Sequence, residues 1–265
     1  ECVIQSIDAS TIYDVPNLML DEGLDKVVLN QLKLERHTPD LSSWNTFLQR
    51  HKNPKDEVTI GLVGKYVELQ DSYKSILEAF THAGAVNEVN VNVKSIHSEH
   101  ITSSNVQEIL SGLNGVLVAP GFGERGIEGK IEAIRYVREH NIPFFGICLG
   151  MQMAVIEFSR TILGLNDANS SEMNQETKNP VIDLMESQKA IKIKGGTMRL
   201  GAYDCTIKTG TKTYSAYRSK KISEHGPHGP VSPIDQKLSD VGILIILSSL
   251  KPAIFFQKLN ASSSS

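Results

Sequence analysis

The stretch PFFGICLGMQMAVIEFSRTIL, residues 143–163, changes character at a pair of glycines. PFFGI (143–147) is a short apolar run, as in a strand buried on both faces, and MQMAVIEFSRTIL (151–163) reads as a helix. Gly146 and Gly150 flank Cys148 at the junction. A nucleophile in this setting sits on a sharp strand-to-helix turn, and the two glycines let the flanking backbones close up. Cys148 then stands near a helix N-terminus, where unpaired N–H groups and the helix dipole are expected to lower a thiol pKa. The alternative is a buried core cysteine, since free Cys is among the most buried residue types.

Working outward from that turn, GVLVAPG (115–121) is a second buried strand and IEAIRYVREH (131–140) a helix. VTIGLVG (58–64) is a further strand, Ser72 to Ala83 a helix, and VNVKSI (91–96) alternates as a strand does. Strands alternating with helices predict an α/β domain with a mainly parallel central sheet flanked by helices. After GVLVA comes PGFGERG (120–126), at the end of the strand where parallel sheets bind ligands. A Gly-rich turn there can aim N–H groups at a developing oxyanion; a plain connecting loop is the alternative.

The flanking segments are less regular. Residues 1–20 read as a strand and a short helix broken at Pro16, and 21–57 as a helical linker punctuated by Pro39 and Pro54. Residues 164–190 read as a long polar surface loop, and alternation around 191–207 predicts antiparallel strands at the sheet edge. His97-Ser98-Glu99 reads as a surface turn. Gly64-Lys65 is no P-loop, because Thr59 stands where the first Gly is needed and Tyr66 where Ser or Thr is.

Composition narrows the function class. Of 265 residues 40% are apolar and 22% charged, which excludes a disordered or collagen-like chain. A net charge of −3 gives no electrostatic case for nucleic acid or an anionic membrane as partner. Three cysteines, Cys2, Cys148 and Cys205, make no disulfide framework, so a cytoplasmic setting is expected. No signal peptide is visible, and the chain reads as the later part of a longer protein. The apolar stretch 241–256 is interrupted by Lys251 and Pro252, short of the roughly 20 residues that a membrane span needs. No metal site is expected, since His225 and His228 lack a nearby Cys or carboxylate cluster.

GICLGMQ, GFGERGIEGK, DANSSE (167–172), GKY (64–66), DSY (71–73) and GGTMRLG (195–201) together resemble the glutaminase domain of the CTP synthases, within the class I glutamine amidotransferases. A glutaminase of the GMP synthase type is a rival that GGTMRLG and the linker disfavour. On this resemblance residues 1–20 are the tail of the synthetase domain, 21–57 the interdomain linker, 58–224 an incomplete amidotransferase domain and 225–265 an atypical end.

The resemblance implies Cys148 as nucleophile and Gly121 and Leu149 as oxyanion hole. It implies Gly121, Phe122, Leu149, Gly150, Met151, Gln152 and Glu172 as glutamine-binding residues, and Arg125 and Glu128 in a loop answering the activator GTP. It also implies ammonia passed to a synthetase domain that aminates UTP to CTP with ATP and Mg2+, in a homotetramer; this fragment itself needs no cofactor.

Two departures from the family's pattern matter. Its loop usually reads PGGFG, whereas here Ala119-Pro120-Gly121-Phe122-Gly123 places a proline one position later and removes one N–H donor. The His-Pro-Glu segment that supplies the family's catalytic base and its orienting carboxylate does not occur in this sequence. After Glu224 the resemblance stops abruptly, and 225–265 reads as a frameshifted or aberrant end. An inactive remnant that binds glutamine or GTP is therefore the non-enzyme reading.

Overall fold

A computed structural model describes residues 3–35, 37–183, 202–210 and 212–225. The expectations placed on 184–201, GGTMRLG included, and on 226–265 fall outside the described residues. Two compact units are formed, and Glu57/Val58 is one of the breaks between them.

The first unit comprises the residues up to Glu57 together with Thr81–Asn90. It contains α1 (Val15–Asp21), α2 (Leu24–Gln31) and α3 (Ser42–Lys52). No strand forms among residues 3–11, contrary to the sequence expectation, and Pro16 opens α1 rather than breaking it. Proline suits that first turn, where its missing N–H would be unpaired anyway. The core here is aromatic: the Tyr13 ring lies 5.1 Å from Phe47 and 5.9 Å from Trp44, whose indole N–H donates to the Tyr13 carbonyl at 2.9 Å.

The second unit carries a four-stranded sheet. In chain order the elements are β1 (Asp56–Gly64), α4 (Lys74–Asn87, from Thr81 on part of the first unit), β2 (Val89–His97, in the second unit from Val91), α5 (Val106–Leu110) and β3 (Gly115–Val118). Then follow α6 (Ile127–Glu139), β4 (Phe144–Gly146) and α7 (Leu149–Thr161). The strand order is β2-β1-β3-β4, and both β1–β3 and β3–β4 are parallel.

Alternation along each strand sorts side chains between the two faces. Val63, Val116, Val118 and Phe144 join the core formed with α5, α6 and α7, while Leu62, Leu117 and Phe145 pack with Ile76, Leu77 and Phe80 of α4. Both faces of β3 and β4 are covered, so those strands are apolar throughout, whereas β2 at the sheet edge alternates Val with Asn. This is the expected α/β architecture.

Three local expectations are corrected. Helix α6 starts at Ile127, four residues before the apolar spacing begins, because Gly126 at φ 71° turns the chain into it and Gly129 packs against the Ser98 carbonyl. Within 164–190, β5 (Asn169–Ser170) pairs with β6 (Pro180–Ile182), and Ser170 is buried, so this part is not wholly surface loop. Finally, β7 (Ala202–Thr206) pairs antiparallel with β8 (Lys221–His225), across α8 (Lys212–Tyr217), as a separate two-stranded sheet rather than on the central edge. Among the described residues no helix is long and apolar enough to cross a membrane.

Candidate active site

The turn between β4 and α7 is held from both sides. The Ile147 N–H donates to the Val118 carbonyl at 3.0 Å, continuing the β3–β4 pairing one residue past the strand. The Gly150 N–H then donates to Ile147 O at 2.9 Å, and the Gln152 N–H to Cys148 O at 3.0 Å, which starts the helix. Cys148 between them has φ 52° and ψ −109°, a backbone conformation that side-chain-bearing residues rarely adopt. Such strain persists only where the surroundings over-determine it. Here they do: a Cβ on Gly146 would meet Gly150 backbone at 2.7 Å, and one on Gly150 would overlap the Val118 oxygen. Cys148 is half-buried at the head of α7, not sealed in the core.

The sequence reading expected a lowered thiol pKa; the structure reverses that sign. Burial pushes the Cys148 thiol above its ordinary value and outweighs the Leu149 N–H and the Lys130 charge, which favour the thiolate; the nearby Glu172 carboxylate adds to the rise. The helix N-terminus therefore tempers the desolvation without overcoming it.

Opposite the turn lies the Gly-rich loop at the end of β3. Gly121 is half-buried, and a Cβ built on it would touch Leu149 Cδ2 at 3.6 Å, so the structure brings together the two residues expected to hold an oxyanion. The Gly121, Phe122 and Gly123 N–H groups have no acceptor among the described residues. The carbonyls are engaged instead. Lys130 Nζ donates to Ala119 O at 2.6 Å, and Lys65 Nζ donates to Phe122 O at 2.6 Å and also to Gly123 O. Lys65 is 2% exposed and Lys130 fully buried. Burial lowers the Lys130 amine to about 7, with the Lys65 charge in support.

The remaining expected residues divide. Leu149, Gly150, Met151 and Gln152 form the buried first turn of α7, and Glu172 is exposed yet close enough to act on the Cys148 charge. Phe122 is 84% exposed. Arg125 pairs with Glu99 at 3.1 Å and lies over the Tyr66 ring, whereas Glu128 pairs with Arg160 at 3.0 Å, so the two expected GTP-loop residues share no partner. His97-Ser98-Glu99 is no simple surface turn: Ser98 is fully buried beneath Gly126 and Gly129, and Glu99 anchors Arg125. Among the described residues no cluster of three or more His, Cys, Asp or Glu side chains gathers as metal ligands would. His225 ends β8, and His228 lies outside the described residues.

Lys65 and Lys130 were missed by the sequence reading. The available signal was a glycine directly before each, Gly64 and Gly129, both packed too tightly to carry a side chain.

The chain is similar to known proteins. Residues 68–229 match the family model described as glutamine amidotransferase class-I. The chain is 69% identical over 229 residues to a CTP synthase of Flavobacterium johnsoniae, covering 86% of this chain and 43% of that protein. It is 48% identical over 250 residues to the CTP synthase of Carboxydothermus hydrogenoformans, covering 94% of this chain and 47% of that one. The chain thus spans less than half the length of these relatives. Among solved structures, the Trypanosoma brucei CTPS glutaminase domain with bound acivicin aligns with TM-score 0.60 at 33% identity, covering 70% of this chain and 72% of that one.

Proposed function

The chain belongs to the class I glutamine amidotransferases, as a glutaminase domain of the CTP synthase kind, and from that premise we propose that Cys148 takes ammonia from glutamine. The observation that carries this reading is the strained Cys148 turn facing a loop whose N–H groups are unclaimed.

The chemistry follows from that arrangement. The Cys148 thiolate adds to the carboxamide carbon of glutamine, and the carbonyl oxygen becomes an oxyanion accepting the Leu149 and Gly121 N–H groups. The C–N bond then breaks, the nitrogen leaves as ammonia after gaining a proton, and a thioester remains. Water adds to the thioester, releasing glutamate and restoring the thiol. Leu149, Gly150, Met151 and Gln152 with Gly121 and Phe122 shape the glutamine site, and the Glu172 carboxylate faces the α-ammonium. Because burial raises the thiol pKa, forming the thiolate needs a base. The sequence contains no His-Pro-Glu, so turnover by this chain is expected several orders of magnitude below that of an intact triad.

In the whole enzyme the ammonia passes to the synthetase domain, where UTP is aminated to CTP with ATP and Mg2+. Arg125 and Glu128 belong to the loop that answers GTP. The whole enzyme is a cytoplasmic homotetramer on this reading, and residues 21–57 are the linker between its domains.

The test is iodoacetamide labelling of Cys148, read by mass spectrometry with and without glutamine. Saturating glutamine is expected to protect Cys148 and leave Cys2 and Cys205 unaffected, while glutamate release is slow and lost in Cys148→Ala. Equal labelling with and without glutamine overturns the proposal.

A further inference from the structure

Two lysines without a role in the reaction as derived above lie beneath the Gly-rich loop, and both are buried. Taking an ammonium out of water is costly unless it is paired and hydrogen-bonded. Among the described residues neither Lys65 nor Lys130 has a carboxylate within ion-pair distance; both spend their protons on loop carbonyls. They approach from different elements, Lys65 from just beyond β1 and Lys130 from α6, and meet near the same glycine. A Cβ on Gly121 would lie 3.7 Å from Lys65 Cδ and 3.8 Å from Lys130 Nζ.

A peptide unit has two poles, so fixing where its oxygen points also fixes where its N–H points. The Phe122 and Gly123 oxygens share their peptide planes with the Gly123 and Glu124 N–H groups, which Lys65 therefore sets directly. The Ala119 oxygen shares its plane with Pro120, which has no N–H, so Lys130 fixes the strand end from which the plane carrying the Gly121 N–H departs. A charged Lys65 makes the stronger hydrogen bonds to such carbonyls, while the Lys130 amine, which titrates at about 7, keeps an N–H for the Ala119 oxygen in either protonation state. Pro120 matters in the same way: its fixed φ stiffens the loop while removing one donor, so more depends on those that remain.

We infer that Lys65 and Lys130 are positioning residues for the glutaminase reaction, clamping the loop by its carbonyl oxygens so that its N–H groups face the developing oxyanion. The inference rests on the glutaminase reading of the site. Neither lysine touches the reacting atoms; both act through the Gly121 loop. Loss of either clamp lets the loop's peptide planes rotate, and an amide turned away from the oxyanion is worth nothing to the transition state.

The test compares two electrophiles on the full chain. The chloromethyl ketone analogue of glutamine develops an oxyanion when the Cys148 thiolate adds to its carbonyl; iodoacetamide is displaced at carbon and develops none at a carbonyl. Both need the thiolate, so their rate ratio cancels any change in thiol pKa. In the unmodified chain the chloromethyl ketone is expected to react much the faster. Lys65→Met and Lys130→Met are each expected to lower its rate on the order of 10²-fold while changing the iodoacetamide rate no more than about threefold, and Lys65→Arg to restore most of the loss. A ratio unchanged in the variants, or both rates falling together, overturns the inference. Should Lys130→Met not fold, as judged by circular dichroism, the Lys65→Met ratio decides alone. No preference for the chloromethyl ketone in the unmodified chain would instead overturn the glutaminase reading, and the inference with it.

Discussion

Gly150 packs against the Val118 carbonyl so closely that a Cβ on Gly150 would overlap that oxygen. The contact joins the first turn of α7 to the last residue of β3, and it sets how near Cys148 can come to the Gly121 loop.

Gly150→Ala should therefore force α7 away from β3. Overpacking of this kind costs on the order of 3 kcal/mol, because the obstacle is backbone rather than a mobile side chain. The expected result is a lower denaturation midpoint together with loss of glutamine protection at Cys148, both read on the same preparation. A variant as stable and as protectable as the parent would show that the helix can shift without disturbing the site.

Glu172 acts on Cys148 through charge, and its carboxylate makes the thiolate harder to form. Glu172→Gln removes that repulsion, so the iodoacetamide rate at pH 8 is expected to rise by about two- to threefold. The difference should shrink in high salt, since part of the path between the groups runs through solvent. Glutamine protection should weaken in the same variant, as the α-ammonium loses its counter-charge. A slower alkylation after neutralising Glu172 would mean that its effect is structural.

The legibility of this molecule in its sequence follows the physics of each part. The elbow was readable because its glycines are obligatory: no other residue tolerates the contacts around Gly146 and Gly150. The parallel strands were readable as bare apolar runs, though the sorting of Leu62 and Val63 to opposite faces was not, since both faces are dry. The start of α6 was hidden because glycine has poor helix propensity, and only the Gly129 contact with Ser98 reveals why it stands there. The buried lysines were hidden for a simpler reason. In sequence a lysine is a surface residue by default, and only tertiary structure shows a loop carbonyl waiting for it. The lowered thiol pKa failed as an expectation because the helix terminus is local and legible, whereas desolvation depends on everything packed around the sulfur.

Among the described residues Glu157 is the other deeply buried charge, with its side chain 1% exposed and its carboxylate held by Arg138 at 2.7 Å. The pair ties α6 to α7, and the Glu157 hydrogen bond raises the Arg138 guanidinium above its ordinary value. Glu157→Ala strands a largely buried guanidinium, which typically costs about 3–5 kcal/mol, with only the more distant Glu139 at 3.5 Å as partial relief. Urea denaturation should show the loss directly. A change below about 1 kcal/mol would mean that Glu139 or water takes over the pairing.

Lys130 makes stability itself pH-dependent. Its amine titrates at about 7 in the folded chain against an ordinary value of 10.5. Between those values the unfolded chain holds a proton that the folded chain does not, so stability rises with pH across that window and is lost as pH falls through about 7. Cys148 works in the opposite direction, because its raised thiol pKa favours the folded state below about 9 and surrenders that advantage at higher pH. The two effects separate if urea midpoints are measured between about pH 6.5 and 8.0, where the thiol is mostly protonated in both states. There the parent midpoint is expected to climb with pH, and Lys130→Met is expected to flatten the climb. A slope that survives in Lys130→Met would place the responsible proton on another group.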